Sequence, residues 1–140
     1  MLPRWLTNKI AEYDLINEYW VVKTLKDRFD PHNKDANLIE FYAFANTVYV
    51  DPESIVVLGG LDDRIANQPN FSNRTLLLVC KPENQYDNHY TLKMMDRMQS
   101  KRGCGTAVHH AGYVYVMGGI NYTEKVLKRC ERLNLEKNVW

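Results

Sequence analysis

Apolar residues fall in short runs along the chain, and these runs predict β-strands. The segments IVVL (residues 55–58) and YVYVM (residues 113–117) are continuous runs of β-branched, aliphatic and aromatic residues. Such runs are typical of strands that are covered on both faces, as in stacked sheets. A second β-rich run, TVYV or AVHH, precedes each of them across a short turn, DPES or AG, and a Gly-Gly pair follows. The pattern therefore predicts two β-hairpins that each end in a glycine pair.

Self-comparison extends this pattern into a repeat. Residues 12–20 (EYDLINEYW) align without a gap with residues 132–140 (RLNLEKNVW), so that Trp20 falls on Trp140. Residues 6–20 also fit an amphipathic helix, but the alignment favours a strand, a polar turn and an aromatic-led strand. In the middle copy, NQYDNHYTL, we expect Tyr90 to take the place of the tryptophan. The repeat unit then has four antiparallel strands, as in the blades of β-propellers.

The third unit resembles the kelch repeat of β-propellers. The resemblance rests on Arg102-Gly103, on Val114-Tyr115-Val116 before the second glycine pair, and on the position of Trp140. It implies an all-β fold of four-stranded antiparallel kelch blades in an incomplete β-propeller, with residues 1–140 as a single kelch-repeat region. Residues 8–26 would form the last two strands of one blade, residues 27–95 a full blade with long loops, and residues 96–140 a further blade lacking most of its outer strand.

The resemblance also implies structural roles for the residues that define the motif. The glycines let the chain leave each blade with positive φ angles, and the large aromatic residues fill the gap between neighbouring blades. The motif residues are Gly59, Gly60, Gly118, Gly119, Trp20, Tyr90 and Trp140.

In function, the resemblance implies a non-catalytic module that binds protein partners. Kelch propellers often serve in eukaryotes as substrate adaptors of ubiquitin ligases or as cytoskeletal and signalling scaffolds. The remaining blades would come from a longer chain or from self-association of several copies. The alternative is a fragment of a propeller enzyme, sugar-modifying or oxidising, with its active site on missing blades. We assign no catalytic residue, because no tyrosine–cysteine–histidine constellation can be recognised.

Two segments are longer than their counterparts elsewhere in the chain. We name the strands of a blade a to d, from the propeller axis outwards. The extra length then best fits the d–a connection at residues 26–44 and the b–c connection at residues 61–74, with part of it possible in the c–d turn at residues 81–89. Because b–c and d–a connections leave a blade at the same end, both would lie on one face, unless they are merely solvated insertions. The expected protein-binding residues are Arg28, Phe29, His32, Phe41, Tyr42, Asp62, Asp63, Arg64, Phe71 and Arg74.

Composition and charge narrow the possible partners. A formal net charge of +1 gives no field that would recruit nucleic acid, and Lys101-Arg102 is too short for a nucleic-acid patch. No apolar run is long enough to span a membrane, and the first residues do not form a signal peptide, so we expect a cytoplasmic protein. Three N-x-S/T sequons, at Asn70, Asn73 and Asn121, point weakly the other way.

Metal and cofactor sites are not expected. Cys80, Cys104 and Cys130 are far apart in the sequence, which predicts reduced, mostly buried thiols rather than a disulfide framework or zinc site. His109 and His110 are adjacent on a strand and so point to opposite faces. The pair Asp62-Asp63 has no further ligand pattern and makes a poor calcium site.

Overall fold

The described part of the chain folds into β-strands. The computed structural model describes residues 6–7, 9–24, 41–62, 70–84 and 87–140. These residues contain no helix, and their fifteen strands are β1 (Leu6–Thr7), β2 (Lys9–Asp14), β3 (Tyr19–Thr24), β4 (Phe41–Tyr42), β5 (Asn46–Asp51), β6 (Ser54–Leu58), β7 (Leu61–Asp62), β8 (Asn70–Phe71), β9 (Thr75–Asn84), β10 (Asp87–Met94), β11 (Thr106–His110), β12 (Tyr113–Met117), β13 (Ile120–Asn121), β14 (Lys125–Val126) and β15 (Cys130–Asn134).

The larger sheets are antiparallel meanders that follow chain order. Strands β5, β6, β9 and β10 form a four-stranded sheet, which we call the second blade. Strands β11, β12 and β15 form the third blade, and the β2–β3 hairpin belongs to the first. Short ribbons, β7–β8 and β13–β14, occupy the b–c connections of the second and third blades. The all-β prediction is confirmed, and the helical alternative for residues 6–20 is wrong, since β2 and β3 pair there.

The repeat between the first and third blades extends to the conformation of the polar turn. Tyr13 pairs with Trp20, and the bridge between Asn134 and Val139 has the same antiparallel register 120 residues later. Asp14 Oδ1 accepts the amide N–H of Asn17 at 3.0 Å, as Asn134 Oδ1 accepts that of Lys137 at 2.8 Å. The side-chain amide of Asn17, together with the backbone N–H groups of Asn17 and Ile16, holds the pKa of Asp14 below its usual value.

The middle copy departs from the predicted alignment. Leu58 pairs with Thr75 in the second blade, as Met117 pairs with Cys130 in the third. Counting along strand c from these pairs, Leu78 corresponds to Leu133, and the partner of Leu78 across the c–d hairpin is Leu92. Leu92 is therefore the structural counterpart of Trp140. Tyr90 lies two residues earlier, half-buried against the same apolar cluster.

The three blades pack against one another through two apolar clusters. The first core lies between the first and second blades and consists of Val57, Leu76, Leu78 and Leu92, with half-buried Ile10 and Phe41 among the residues packed against it. The second core joins the second and third blades and consists of Val56, Leu58, Met95, Met98, Val114, Val116 and Leu133. Trp140 packs against the second core, and its indole N–H donates to the carbonyl of Asp96 at 2.8 Å. Trp140 is therefore part of the packing between the second and third blades.

Trp20 does not fill a core among the described residues. Its side chain is 66% exposed and contacts the ring of Tyr13, with 5.1 Å between the ring centroids. The equivalent residues Leu92 and Trp140 each pack toward the blade that precedes their own. Trp20 belongs to the first blade, and no described blade lies on that side of it. Among the described residues, Trp20 therefore has no inter-blade core to pack against, and its packing role stays a prediction.

Candidate binding face at the loop end of the blades

Each glycine pair turns the chain at the end of strand b. Gly59 and Gly60 have φ angles of 65° and 98°, and Gly118 and Gly119 have angles of 61° and 94°. These values lie in the left-handed region that side chains disfavour. The same backbone turn therefore recurs in both blades and starts both b–c ribbons at the same end of the sheets.

Arg102 anchors the segment that enters the third blade. Its side chain is fully buried, donates to the carbonyls of Gly118 at 2.7 Å and Arg129 at 3.3 Å, and forms an ion pair with Glu131. The other bonds to the Glu131 carboxylate come from the backbone N–H groups of Gln99 and Ser100, at 2.6 and 3.1 Å. This network fixes residues 99–102, the end of the d–a connection, against strand β15.

The second blade has a different pair at the corresponding place. Leu61 donates to the carbonyl of Ala43 as Ile120 donates to that of Gly103, so Tyr42 corresponds to Arg102. Arg74 Nη1 donates to the Tyr42 hydroxyl at 3.0 Å, and the guanidinium carbon lies 4.8 Å from the ring centroid. Tyr42 is only 7% exposed. Both residues were expected to contact a partner, but they hold each other inside the blade.

The other predicted contact residues are dispersed. Phe71 is only 7% exposed and therefore offers little surface to a partner. Phe41 is half-buried and packs against the first core. Asp62 lies half-buried on β7, opposite Asn70. The predicted residues Arg28, Phe29, His32, Asp63 and Arg64 lie outside the described residues.

The extra length of the second blade is shared between its two ends. Thr75 lies fifteen positions after Gly60, whereas Cys130 lies eleven after Gly119, so the b–c connection is modestly longer. Leu92 lies fourteen positions after Leu78, but Trp140 only seven after Leu133, so the c–d hairpin is much longer. Of the extra length that follows Gly60, the larger part therefore lies in the c–d turn, at the opposite end of the blade from the b–c connection and away from the predicted loop face.

A half-open pocket of about 250 Å³ lies at the loop end of the second and third blades. It is formed where β8, the d–a segment at residues 99–101 and the β13–β14 ribbon converge. The rings of Phe71 and Tyr122 lie 5.4 Å apart between their centroids and form an aromatic wall, with Phe71 inside and Tyr122 57% exposed. The remaining lining is polar or charged: Asn70, Gln99, Ser100, Lys101, Asn121, Thr123, Glu124 and Arg129.

Comparison with known families adds one finding to this geometry. The family model of the Kelch motif matches residues 101–140, from the segment before β11 to the tryptophan on the second core. Residues 101–140 are thus similar to a kelch repeat. No curated protein matches the chain.

Residues 101–140 supply most of the pocket, yet only one of the pocket residues, Phe71, was predicted from the sequence to contact a partner. Tyr122 and Arg129 were missed because each is an isolated residue in a short segment, and Lys101 was considered only as part of a dipeptide too short to bind nucleic acid. The Arg-Gly dipeptide of the kelch pattern marked Arg102, which is buried in the structure. Lys101 precedes Arg102, so the buried arginine fixes the position of the lysine at the pocket. The pocket is formed by three segments that are distant in the sequence, and no local sequence pattern shows that they meet.

The described residues outside this face show no other chemical centre. No group of three His, Cys, Asp or Glu side chains among them is arranged to hold a metal ion. His109 is half-buried and His110 is exposed. Cys104 and Cys130 are also exposed and Cys80 is half-buried, which corrects the expectation of mostly buried thiols. Over the described residues, no helix has the length and apolar character that a membrane span requires.

Proposed function

We propose that this chain is a non-catalytic protein-interaction module, part of a kelch β-propeller, that binds a protein partner at the loop end of its blades. The observation that supports this function is the pocket between the second and third blades, where two b–c ribbons and a d–a segment meet. Its exposed aromatic residue, surrounded by polar groups, has the composition of an interface anchor.

The proposal extends to residues beyond the pocket and to the setting of the protein. The d–a segment that carries Arg28, Phe29 and His32, and the b–c segment that carries Asp63 and Arg64, would enlarge the same face. A role as a substrate adaptor or cytoskeletal scaffold in the eukaryotic cytoplasm agrees with the kelch repeat at residues 101–140.

Site-specific photo-crosslinking tests the face assignment. A benzophenone amino acid replaces Tyr122 at the loop end in one variant and Glu136 at the turn end in another; both side chains are exposed. Partners captured from a cell extract are identified by mass spectrometry, purified and crosslinked again with each variant. We expect the purified partner to crosslink at position 122 and not at position 136. Equal crosslinking at both positions would contradict the proposal.

A further inference from the structure

The size of the pocket favours a single inserted side chain. Sites for free small molecules usually enclose roughly 300–1,000 Å³. At about 250 Å³ and half-open, this pocket is below that range. It suits one side chain that projects from a larger partner, with the backbone of the partner remaining outside.

The charge of the lining favours an anion. Two cations, Lys101 and Arg129, face one carboxylate, Glu124. Arg129 Nη2 donates to Glu124 at 2.6 Å, but a guanidinium has five N–H groups, and the Arg129 side chain is half-exposed. Lys101 is exposed, and no carboxylate among the described residues pairs with it. Its ammonium has only a long contact, 3.5 Å, with Asn70 Oδ1.

Hydrogen bonds hold the surrounding groups in place before any partner arrives. Asn121 Nδ2 donates to the carbonyl of Lys101 at 3.3 Å, and Asn121 Oδ1 accepts the N–H of Glu124 at 2.6 Å. Buried Arg102 and the Glu131 carboxylate fix the backbone of residues 99–102 on the other side. A preorganised pocket loses less conformational entropy when a ligand binds. The Tyr122 ring adds an apolar wall for the methylene groups that carry a carboxylate.

We propose that this pocket binds the carboxylate side chain of an acidic segment in the partner protein. Lys101 pairs with the carboxylate, Arg129 donates through N–H groups that Glu124 leaves unoccupied, and Tyr122 packs against the methylene stem. This inference rests on the proposed function, because it names the chemistry of the partner at the same face.

A peptide-binding assay tests the pocket directly. The probe is a fluorescein-labelled peptide, Ser-Gly-Glu-Leu-Glu-Gly-Ser, whose anisotropy is measured with the full 140-residue chain, and the comparison peptide has Gln in place of both Glu residues. We expect Lys101→Met to weaken binding of the Glu peptide about five- to tenfold, the loss of one charge-assisted hydrogen bond. Lys128→Met is the matched control, because Lys128 is exposed, carries the same charge and does not line the pocket. We expect it to bind as the unmodified chain does.

Two outcomes would overturn the inference. One is equal binding of the Glu and Gln peptides, and the other is equal weakening by the two lysine substitutions. The crosslinking experiment separates this inference from the proposed function. If position 122 crosslinks the purified partner while Lys101→Met leaves the affinity for that partner unchanged, the interface stands and the acidic anchor fails. If position 122 does not crosslink the partner, the proposed face itself fails.

Discussion

The two glycine pairs share one backbone conformation but have different surroundings. A Cβ on Gly59 would lie 2.1 Å from the carbonyl oxygen of Arg102, which belongs to the next blade. A Cβ on Gly118 would meet nothing closer than the carbonyl oxygen of Leu127, at 3.7 Å. Two separate constraints therefore favour glycine at position 59: its positive φ angle and the close approach of the third blade.

Alanine substitution at these two glycines should separate the two requirements. Gly118→Ala should cost about 1–2 kcal/mol, the penalty of a left-handed residue with a side chain. Gly59→Ala should cost about 2–3 kcal/mol more, since the carbonyl of Arg102 must also move. Urea unfolding of both variants measures the difference. Equal losses would show that the contact between Gly59 and Arg102 does not constrain the chain.

At the residue scale, the sequence predicts what local chemistry controls. The glycine pairs and the polar turns at Asp14 and Asn134 are local features, and the structure has them at the expected positions. The burial of Arg102 is not local, because it depends on Glu131, 29 residues later in the chain. The apparent surface dipeptide Lys101-Arg102 therefore contains one exposed side chain and one fully buried side chain.

At the scale of the elements, each of the two blades ties its d–a segment to the neighbourhood of strand c in its own way. The third blade uses the buried ion pair between Arg102 and Glu131, and the second uses Tyr42 under the guanidinium of Arg74. A buried ion pair that further hydrogen bonds support holds its geometry, but loss of either partner leaves an uncompensated charge.

Removal of one charge should show how much the third blade depends on this pair. We expect Arg102→Met to destabilise the chain by about 3–5 kcal/mol, because the buried Glu131 side chain then loses its cationic partner. The control is Glu124→Gln, which breaks the half-exposed pair with Arg129 and should cost at most about 1 kcal/mol. Thermal and urea unfolding measure both. Similar small losses in the two variants would contradict a structural role for Arg102.

Register and connection lengths were the least predictable features at this scale. Tyr90 was matched to the tryptophans because it is aromatic, yet pairing from Leu58 and Thr75 places Leu92 there. After Gly60, the c–d hairpin of the second blade gains more extra residues than the b–c connection does, and a count between sequence motifs cannot divide these residues between the two ends of the blade. Phe71 was read as a loop residue, but a short ribbon and the neighbouring blade bury it.

At the scale of the whole molecule, the described blades leave two apolar faces uncovered. On the third blade, Val108 is 45% exposed, and half-buried Tyr113, Tyr115 and Met117 lie beside it. In the second blade, Val48, Val56 and Leu58 pack against the third blade. When the strand pairs of the two blades are matched, Val108, Tyr115 and Met117 take the same positions in the third blade. The other uncovered face lies on the first blade, where Tyr13, Trp20 and Val22 are exposed.

These two faces are different surfaces, so contact between them joins copies of the chain head to tail. Since the matching faces pack together inside the chain, we expect the purified protein to associate with a second copy through them, and its sedimentation coefficient to rise with concentration. Val108→Lys blocks one face and Trp20→Ser the other, so each variant alone should remain a monomer. Both positions are exposed, and neither change should cost more than about 1 kcal/mol of stability.

Mixing the two variants tests the head-to-tail arrangement. An unmodified first-blade face remains in the Val108→Lys variant, and an unmodified third-blade face remains in the Trp20→Ser variant. Together they retain one complete contact, so an equimolar mixture should form a dimer and nothing larger. Glu136→Lys, at the exposed turn end of the third blade, serves as the control and should associate as the unmodified chain does. A mixture that stays monomeric, or a control that loses association as well, would contradict contact between these two faces.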